Sequence, residues 1–127
     1  MAHEILNLTK VHPTKGYSHA AKAGKTLYIA GQVGKNLEGN IVGKGDFEIQ
    51  ARQVFTNLKN ILEESEGSLQ NIVKMTTFLT HFDYIETYRK VRDEFFHEPY
   101  PPNTLLIIQS LALPEYMIEV EAVAALD

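Results

Sequence analysis

Apolar and polar positions follow two different periods along this chain, and the changes of period divide it into elements. Behind Asp46, Phe47, Ala51, Val54, Phe55, Leu58, Ile61 and Leu62 recur at helical spacing. Asp46 is a good N-cap for that helix, and Gly67 is the expected stop. A second helical stripe consists of Ile85, Tyr88, Val91, Phe95 and Phe96. Asp83 and Glu86 open it with the spacing of a capping box, and it ends by Pro99.

The remaining apolar stretches are short and read as strands. Glu4 to Thr9 is one, and Pro13 and Gly16 then punctuate a loop. Tyr17 to Ala23 and Thr26 to Val33 flank Gly24-Lys25 as a hairpin. In its second strand, Leu27, Ile29 and Gly31 are expected on one face and Tyr28, Ala30 and Gln32 on the other. The glycine-rich stretch from Gly34 to Gly45 reads as a loop. Asn71 to Thr80, Thr104 to Ile108 and Tyr116 to Leu126 complete the strands, with Pro101-Pro102 forcing an extended entry to the penultimate one. The order is strand, strand, strand, helix, strand, helix, strand, strand: an α+β domain with one sheet and two helices.

Two helices cover one face of such a sheet. Yet Ile72 and Phe78 oppose Val73, Met75 and Leu79, while Leu106 and Ile108 oppose Leu105 and Ile107. Strands that are apolar on both sides normally have both sides covered, so a further subunit is expected. A solvated face with scattered apolar residues is the alternative. In the last strand Glu119 and Glu121 share a face with Met117, Val123 and Ala125, which places both carboxylates at or near a subunit interface. Glu121 is the first candidate for chemistry. A partly buried carboxylate is either paired, here with Arg or Lys of a neighbour, or shifts its pKa and becomes able to exchange a proton.

Composition narrows the function classes. The chain has 127 residues, no cysteine and a net charge of -4. There is no thiol nucleophile, disulfide framework or thiolate metal site. Lysine and arginine form no cluster, so a nucleic-acid partner is not expected. No apolar run approaches the roughly 20 residues of a membrane span, and no membrane partner is expected. The N-terminus lacks a basic start followed by an apolar stretch, so a cytoplasmic protein is expected. His3, His12, His19, His81 and His97 show no ligand spacing, and no metal is expected. Tyr17-Ser18-His19 is a candidate small polar pocket; a strand end that exposes polar side chains accounts for it as well. Gly31 inside a strand marks close approach of a backbone or ligand. No nucleophile elbow, phosphate loop or dinucleotide fingerprint is present. Arg52, Lys59, Arg89 and Arg92 read as solvated helix residues.

Four stretches then take on a common meaning. Gly16-Tyr17-Ser18, Ile29-Ala30-Gly31-Gln32, Gln50 to Leu58 and Ile118-Glu119-Val120-Glu121-Ala122 occur in the same order in the Rid family, also called YjgF/YER057c/UK114. The chain resembles that family over almost its whole length. The resemblance implies one Rid-like domain over residues 1–127, with a chorismate-mutase-like (bacillus type) α+β fold. It also implies a homotrimer with clefts for a small-molecule ligand between subunits. The activity it implies is cofactor-free hydrolysis of reactive 2-imino acids to 2-keto acids and ammonia. Tyr17 matches the family's cleft tyrosine and Glu121 its water-activating or proton-handling acid, while Asn103, Thr104 and the Gly31 backbone would shape the cleft. One position departs from the imine-hydrolysing branch. An arginine there follows the proline and grips the substrate carboxylate; Asn103 stands here, and it offers no cationic fork. Ala30 and Arg89 depart likewise. A non-catalytic binding or regulatory trimer is therefore the rival reading.

Overall fold

The computed structural model describes residues 2–127. Its strands are β1 (Glu4–Ile5), β2 (Ala20–Ala23), β3 (Thr26–Gln32), β4 (Ile72–Leu79), β5 (Asn103–Ile107) and β6 (Ile118–Ala125). Its helices are α1 (Phe47–Glu64) and α2 (Ile85–Phe95), with short 3-10 turns at Leu69–Asn71 and Phe82–Tyr84. The strands form a mixed sheet in the order β1-β2-β3-β6-β4-β5. Every pairing is antiparallel except β4 with β5. The expected α+β class with one sheet and two helices is what the chain adopts.

The first two expected strands are shorter than their apolar pattern. Only Glu4 and Ile5 pair in β1. Its continuation leaves the sheet because Glu64 of α1 captures the amides of Thr9 and Lys10 at 2.8–3.0 Å. Tyr17, Ser18 and His19 lie outside β2, in the loop that leads to it.

Helix α1 starts where its sequence requires, with Asp46 Oδ1 accepting from the Ile49 amide at 3.2 Å. Its stop differs from expectation. Glu66, at φ 66°, is the left-handed residue, and the amides of Glu66 and Gly67 return to the carbonyls of Glu63 and Leu62. Gly67 serves close packing instead: a Cβ there would lie 2.8 Å from Leu126 Cδ2. At α2, the 3-10 turn Phe82–Tyr84 comes first, and the His81 ring rather than Asp83 caps it, accepting from the Asp83 amide.

The core lies between the helices and one face of the sheet. Ile118, Val120, Ala122 and Ala124 of β6 meet Ala51, Val54, Phe55, Leu58, Ile61 and Leu62 of α1 in one buried cluster. Phe55 packs at 5.5–6.0 Å, centroid to centroid, against Tyr88, Phe95 and Phe96. The other sheet face has no helix over it. Tyr28 and Leu106 stand roughly half exposed there.

Two irregularities decide which side chains share a face. Ile29 pairs with Ala122 and Gln32 with Val120, so β3 spends three residues where β6 spends two. Such a bulge reverses the alternation beyond it. Gln32 therefore joins Leu27 and Ile29 in the interior, fully buried, and Gly31 turns to the uncovered face. This corrects the strict alternation expected from the sequence. A second bulge, between Ile72 and Lys74 of β4, puts Ile72 in the core with Met75, Thr77 and Leu79.

Candidate functional site

Gly31 and Glu119 meet on the uncovered face. A Cβ on Gly31 would sit 2.0 Å from Glu119 Oε2, so the carboxylate occupies the space that any larger residue would fill. That is the physical need for glycine at this position. Glu119 has no hydrogen-bond or ion-pair partner among the described residues. Burial, and secondarily the charge of Glu121, push its carboxyl above the ordinary glutamate range.

Tyr17 belongs to the same electrostatic neighbourhood. Burial raises its phenol pKa; Lys35 works against the shift, while Tyr116 and Glu119 add to it. Tyr17 is also half exposed, so its ring is available to a ligand.

Glu121 lies two residues on, opposite Thr76 of β4, on the same face but exposed. It borders a shallow cavity of about 480 Å³ with Lys74, Thr76, Tyr28, Ala30 and Val123. Thr104 also faces this side. Lys74 Nζ donates to Thr104 Oγ1 at 3.0 Å and to the Met75 carbonyl at 2.6 Å. Glu121, Thr104 and Lys74 thus form a polar patch on the face that carries Gly31 and Glu119.

Asn103 is directed elsewhere. It pairs with Met75, whose side chain is in the core. Its Oδ1 accepts from Thr77 Oγ1 at 3.0 Å, and its Nδ2 donates to Tyr88 Oη at 2.9 Å. Thr77 and Tyr88 are themselves 3.1 Å apart, which closes a ring of three hydrogen bonds between β4, β5 and α2. Both ends of the Asn103 amide are engaged within the protomer, on the helix side of the sheet. Among the residues singled out from sequence, Gly31 lies against Glu119, Glu121 and Thr104 stand on the same uncovered face, Tyr17 is near enough to feel the Glu119 charge, and Asn103 is held on the helix side.

The helix motif Gln50–Leu58 acquires a physical role. Gln50 and Asn57 lie seven residues apart, two turns along one face, and both are buried. Gln50 donates to the carbonyl of Glu115 at 2.8 Å and accepts from the Met117 amide at 2.9 Å, which anchors the entry to β6. Asn57 donates to the carbonyls of Val33 and Lys35 at 3.2 and 3.0 Å, which fixes the loop after β3. The two amides hold the segments that carry Glu119 and Lys35. Sequence reasoning quoted the two amides only as part of a motif; polar residues on the apolar stripe of a helix were the available signal. It named Glu119 but placed the chemistry on Glu121, and it named His19 without joining it to His12 and Gln32.

No group of three or more His, Asp or Glu side chains among the described residues is arranged to hold a metal ion. No helix among them is long and apolar enough to cross a membrane.

Residues 8–126 match the family model described as Endoribonuclease L-PSP. The chain is 30% identical over 115 residues to the 2-iminobutanoate/2-iminopropanoate deaminase of Dermatophagoides farinae, covering 91% of this chain and 89% of that protein. It is 34% identical over 125 residues to a RutC family protein of Pyrococcus abyssi, with 98% of each covered. The fold superposes on the crystal structure of yeast Mmf1 with a TM-score of 0.92 at 32% identity, over 98% of this chain and 99% of that one. It matches Escherichia coli TdcF with bound serine at a TM-score of 0.89 and 26% identity, over 98% and 99% of the two chains. Among these relatives Mmf1 is described as mitochondrial. A family-model match over nearly the whole length, together with these relatives and folds, establishes that this chain belongs to the endoribonuclease L-PSP family, the YjgF/Rid family.

Proposed function

We propose that the chain assembles as a cytoplasmic homotrimer with a ligand cleft at each subunit boundary, where it hydrolyses a reactive imine or enamine to a carbonyl compound and ammonia. The observation that carries this reading is the half-buried, unpartnered Glu119 carboxylate set against Gly31, with its pKa raised. A carboxyl moved toward neutral pH can exchange protons in both directions. From the protonated imine, Glu119 takes a proton from water as the water oxygen bonds to the carbon and the C=N π pair moves onto nitrogen, which gives a neutral carbinolamine. It then returns that proton to the nitrogen; the C–N bond breaks as the C=O bond forms, ammonia leaves, and the hydroxyl proton passes to Glu119 and on to the ammonia as ammonium. Tyr17 donates a hydrogen bond to the ligand. We propose this role for Glu119 in preference to Glu121, which is exposed and stands opposite Thr76. Glu121, with Thr104 and Lys74, would line the wall of the cleft. The assembly is supported by Tyr28 and Leu106, large side chains left open on the sheet face.

The test is ammonia release from imines generated in situ by an amino-acid oxidase, with sedimentation run in parallel. A trimer is expected, with Glu119→Gln losing turnover and Glu121→Gln changing it less than tenfold. A stable monomer at micromolar concentration, or equal losses in the two variants, refutes this assignment. One observation favours the rival reading of a non-catalytic binding trimer: Asn103, which stands where the imine-hydrolysing branch has its arginine, is tied to Thr77 and Tyr88. Tight ligand binding without turnover on any imine would select it.

A further inference from the structure

Tyr17 sits on a loop whose two ends, His12 and His19, are tied to each other. His19 Nε2 lies 2.8 Å from the His12 carbonyl. A carbonyl only accepts, so Nε2 carries the proton. On the other side of the ring, Nδ1 lies 3.0 Å from Gln32 Nε2. Gln32 Nε2 also donates to the Ala30 carbonyl at 3.1 Å, which decides which end of the amide faces the ring. Nδ1 therefore accepts, and His19 is the neutral tautomer protonated on Nε2. All three side chains are 95–100% buried, with His12, His19 and Gln32 exposed by 3%, 5% and 0%. The His12 ring packs edge-on against His19 at 4.7 Å, and the Tyr17 ring meets His19 edge-on at 6.2 Å. Inside the loop Thr14 Oγ1 donates to the Tyr17 carbonyl. The Lys15, Gly16, Tyr17 and Ser18 stretch is otherwise exposed.

Gln32 directly follows Gly31, and the bulge of β3 points the two in opposite directions. Gly31 faces Glu119, and Gln32 faces inward to His19. The strand segment that seats the carboxylate thus also grips the ring that closes the Tyr17 loop.

We infer that His19 is a positioning residue: its Nε2–H closes the His12–His19 loop and fixes where Tyr17 stands, while Gln32, the neighbour of Gly31 on β3, holds the ring in the tautomer this requires. The consequence for loop closure stands on geometry alone. The consequence for turnover rests on the function proposed above.

The test therefore uses two readouts on the full-length protein. The first is trypsin cleavage after Lys15, in the middle of the loop. The second is the split between kcat and KM for 2-iminopropanoate. Loss of one buried neutral hydrogen bond corresponds to about a tenfold rise in loop opening. His19→Ala is expected to be cut after Lys15 about tenfold faster than the native protein. Its KM is expected to rise by a similar factor with kcat little changed, because a loosened binding residue costs affinity rather than chemistry. Gln32→Met keeps the volume and the His19 ring but removes the donor to Nδ1; it is expected to show the same direction in both readouts with a smaller change. Restoration of the native cleavage rate by His19→Gln, which retains a side-chain donor, would support the assignment further. Native cleavage rates in His19→Ala and Gln32→Met overturn the proposal. So does loss of the folding transition in both, because the pair then belongs to the core rather than to the loop. If the native protein shows no imine turnover, the proposed function fails, and the cleavage readout still decides the role of His19.

Discussion

His12 makes the stability of this protein depend on pH in a direction opposite to that of a paired histidine. Its ring is buried; burial first, then His19, then Lys35 pull its pKa from 6.5 down to about 4. Folding favours the neutral ring, so the unfolded chain binds more protons between pH 6.5 and pH 4 and stability rises with pH across that window. The contribution is fully present above 6.5 and is lost as pH falls through 6.5 toward 4. A separation of about 2.5 pH units at 1.36 kcal/mol each amounts to about 3 kcal/mol, of which about 2.5 kcal/mol is lost between pH 7.5 and pH 4.5. For a domain of this size that is a fall in Tm of about 10 °C. Glu119 acts in the other sense. Its raised pKa favours the neutral acid in the folded state, so its contribution is present at low pH and lost as pH rises through its folded value. A Glu119→Gln background removes that opposing slope. The assay is urea or thermal unfolding at half-unit steps from pH 7.5 to 4.5, in Glu119→Gln with and without His12→Gln. The His12→Gln protein is expected to lose most of the pH slope in this window. Identical slopes with and without His12 would refute the reasoning.

Three further outcomes follow from the contacts described. Gly31→Ala places a methyl within 2.0–2.8 Å of the Glu119 carboxylate and its Cγ, which must swing aside; turnover is expected to fall at least a hundredfold with Tm lowered by only a few degrees, as kinetics and calorimetry together would show. Tyr88→Phe removes one member of the Thr77–Tyr88–Asn103 ring and leaves Thr77 and the Asn103 amide each short of a partner, a loss of about 1–2 kcal/mol by denaturant titration. Native hydrolysis of 2-iminopropanoate is expected to be weak; Asn103→Arg, whose guanidinium does not fit the Thr77–Tyr88 ring and turns outward from this exposed position, is expected to raise it about tenfold or more by offering the carboxylate a cationic fork, while lowering Tm because the ring is broken. Turnover in that variant no higher than native would remove position 103 from substrate recognition.

Periodicity carried the elements of this fold. A helix or strand answers to spacing and capping that lie within a few residues, as Asp46 and the stripe from Phe47 to Leu62 illustrate. The family motifs were equally legible, since four short stretches in order mark a relationship that the family model and the solved folds then show. What sequence could not supply were the facts that arise between elements. The start of β1 looks like a longer strand until Glu64, more than fifty residues away, captures the backbone of Thr9 and Lys10. Strict alternation puts Gly31 on the face of Ile29, whereas the β3 bulge, set by pairing with β6, turns it toward Glu119. Glu119 and Glu121 are indistinguishable in sequence because period two gives them one face. Tertiary structure separates them by what stands opposite, a glycine with room for a carboxylate at one and Thr76 with open surface at the other. Asn103 reads as a cleft residue from its neighbours in the chain, and only Thr77 and Tyr88, brought to it by the sheet and α2, show where its amide is held. Sequence by itself determined the secondary elements, the class and the family, because those rest on local spacing and shared motifs. The fold decided which polar side chains meet, because burial and hydrogen bonding depend on partners distant along the chain.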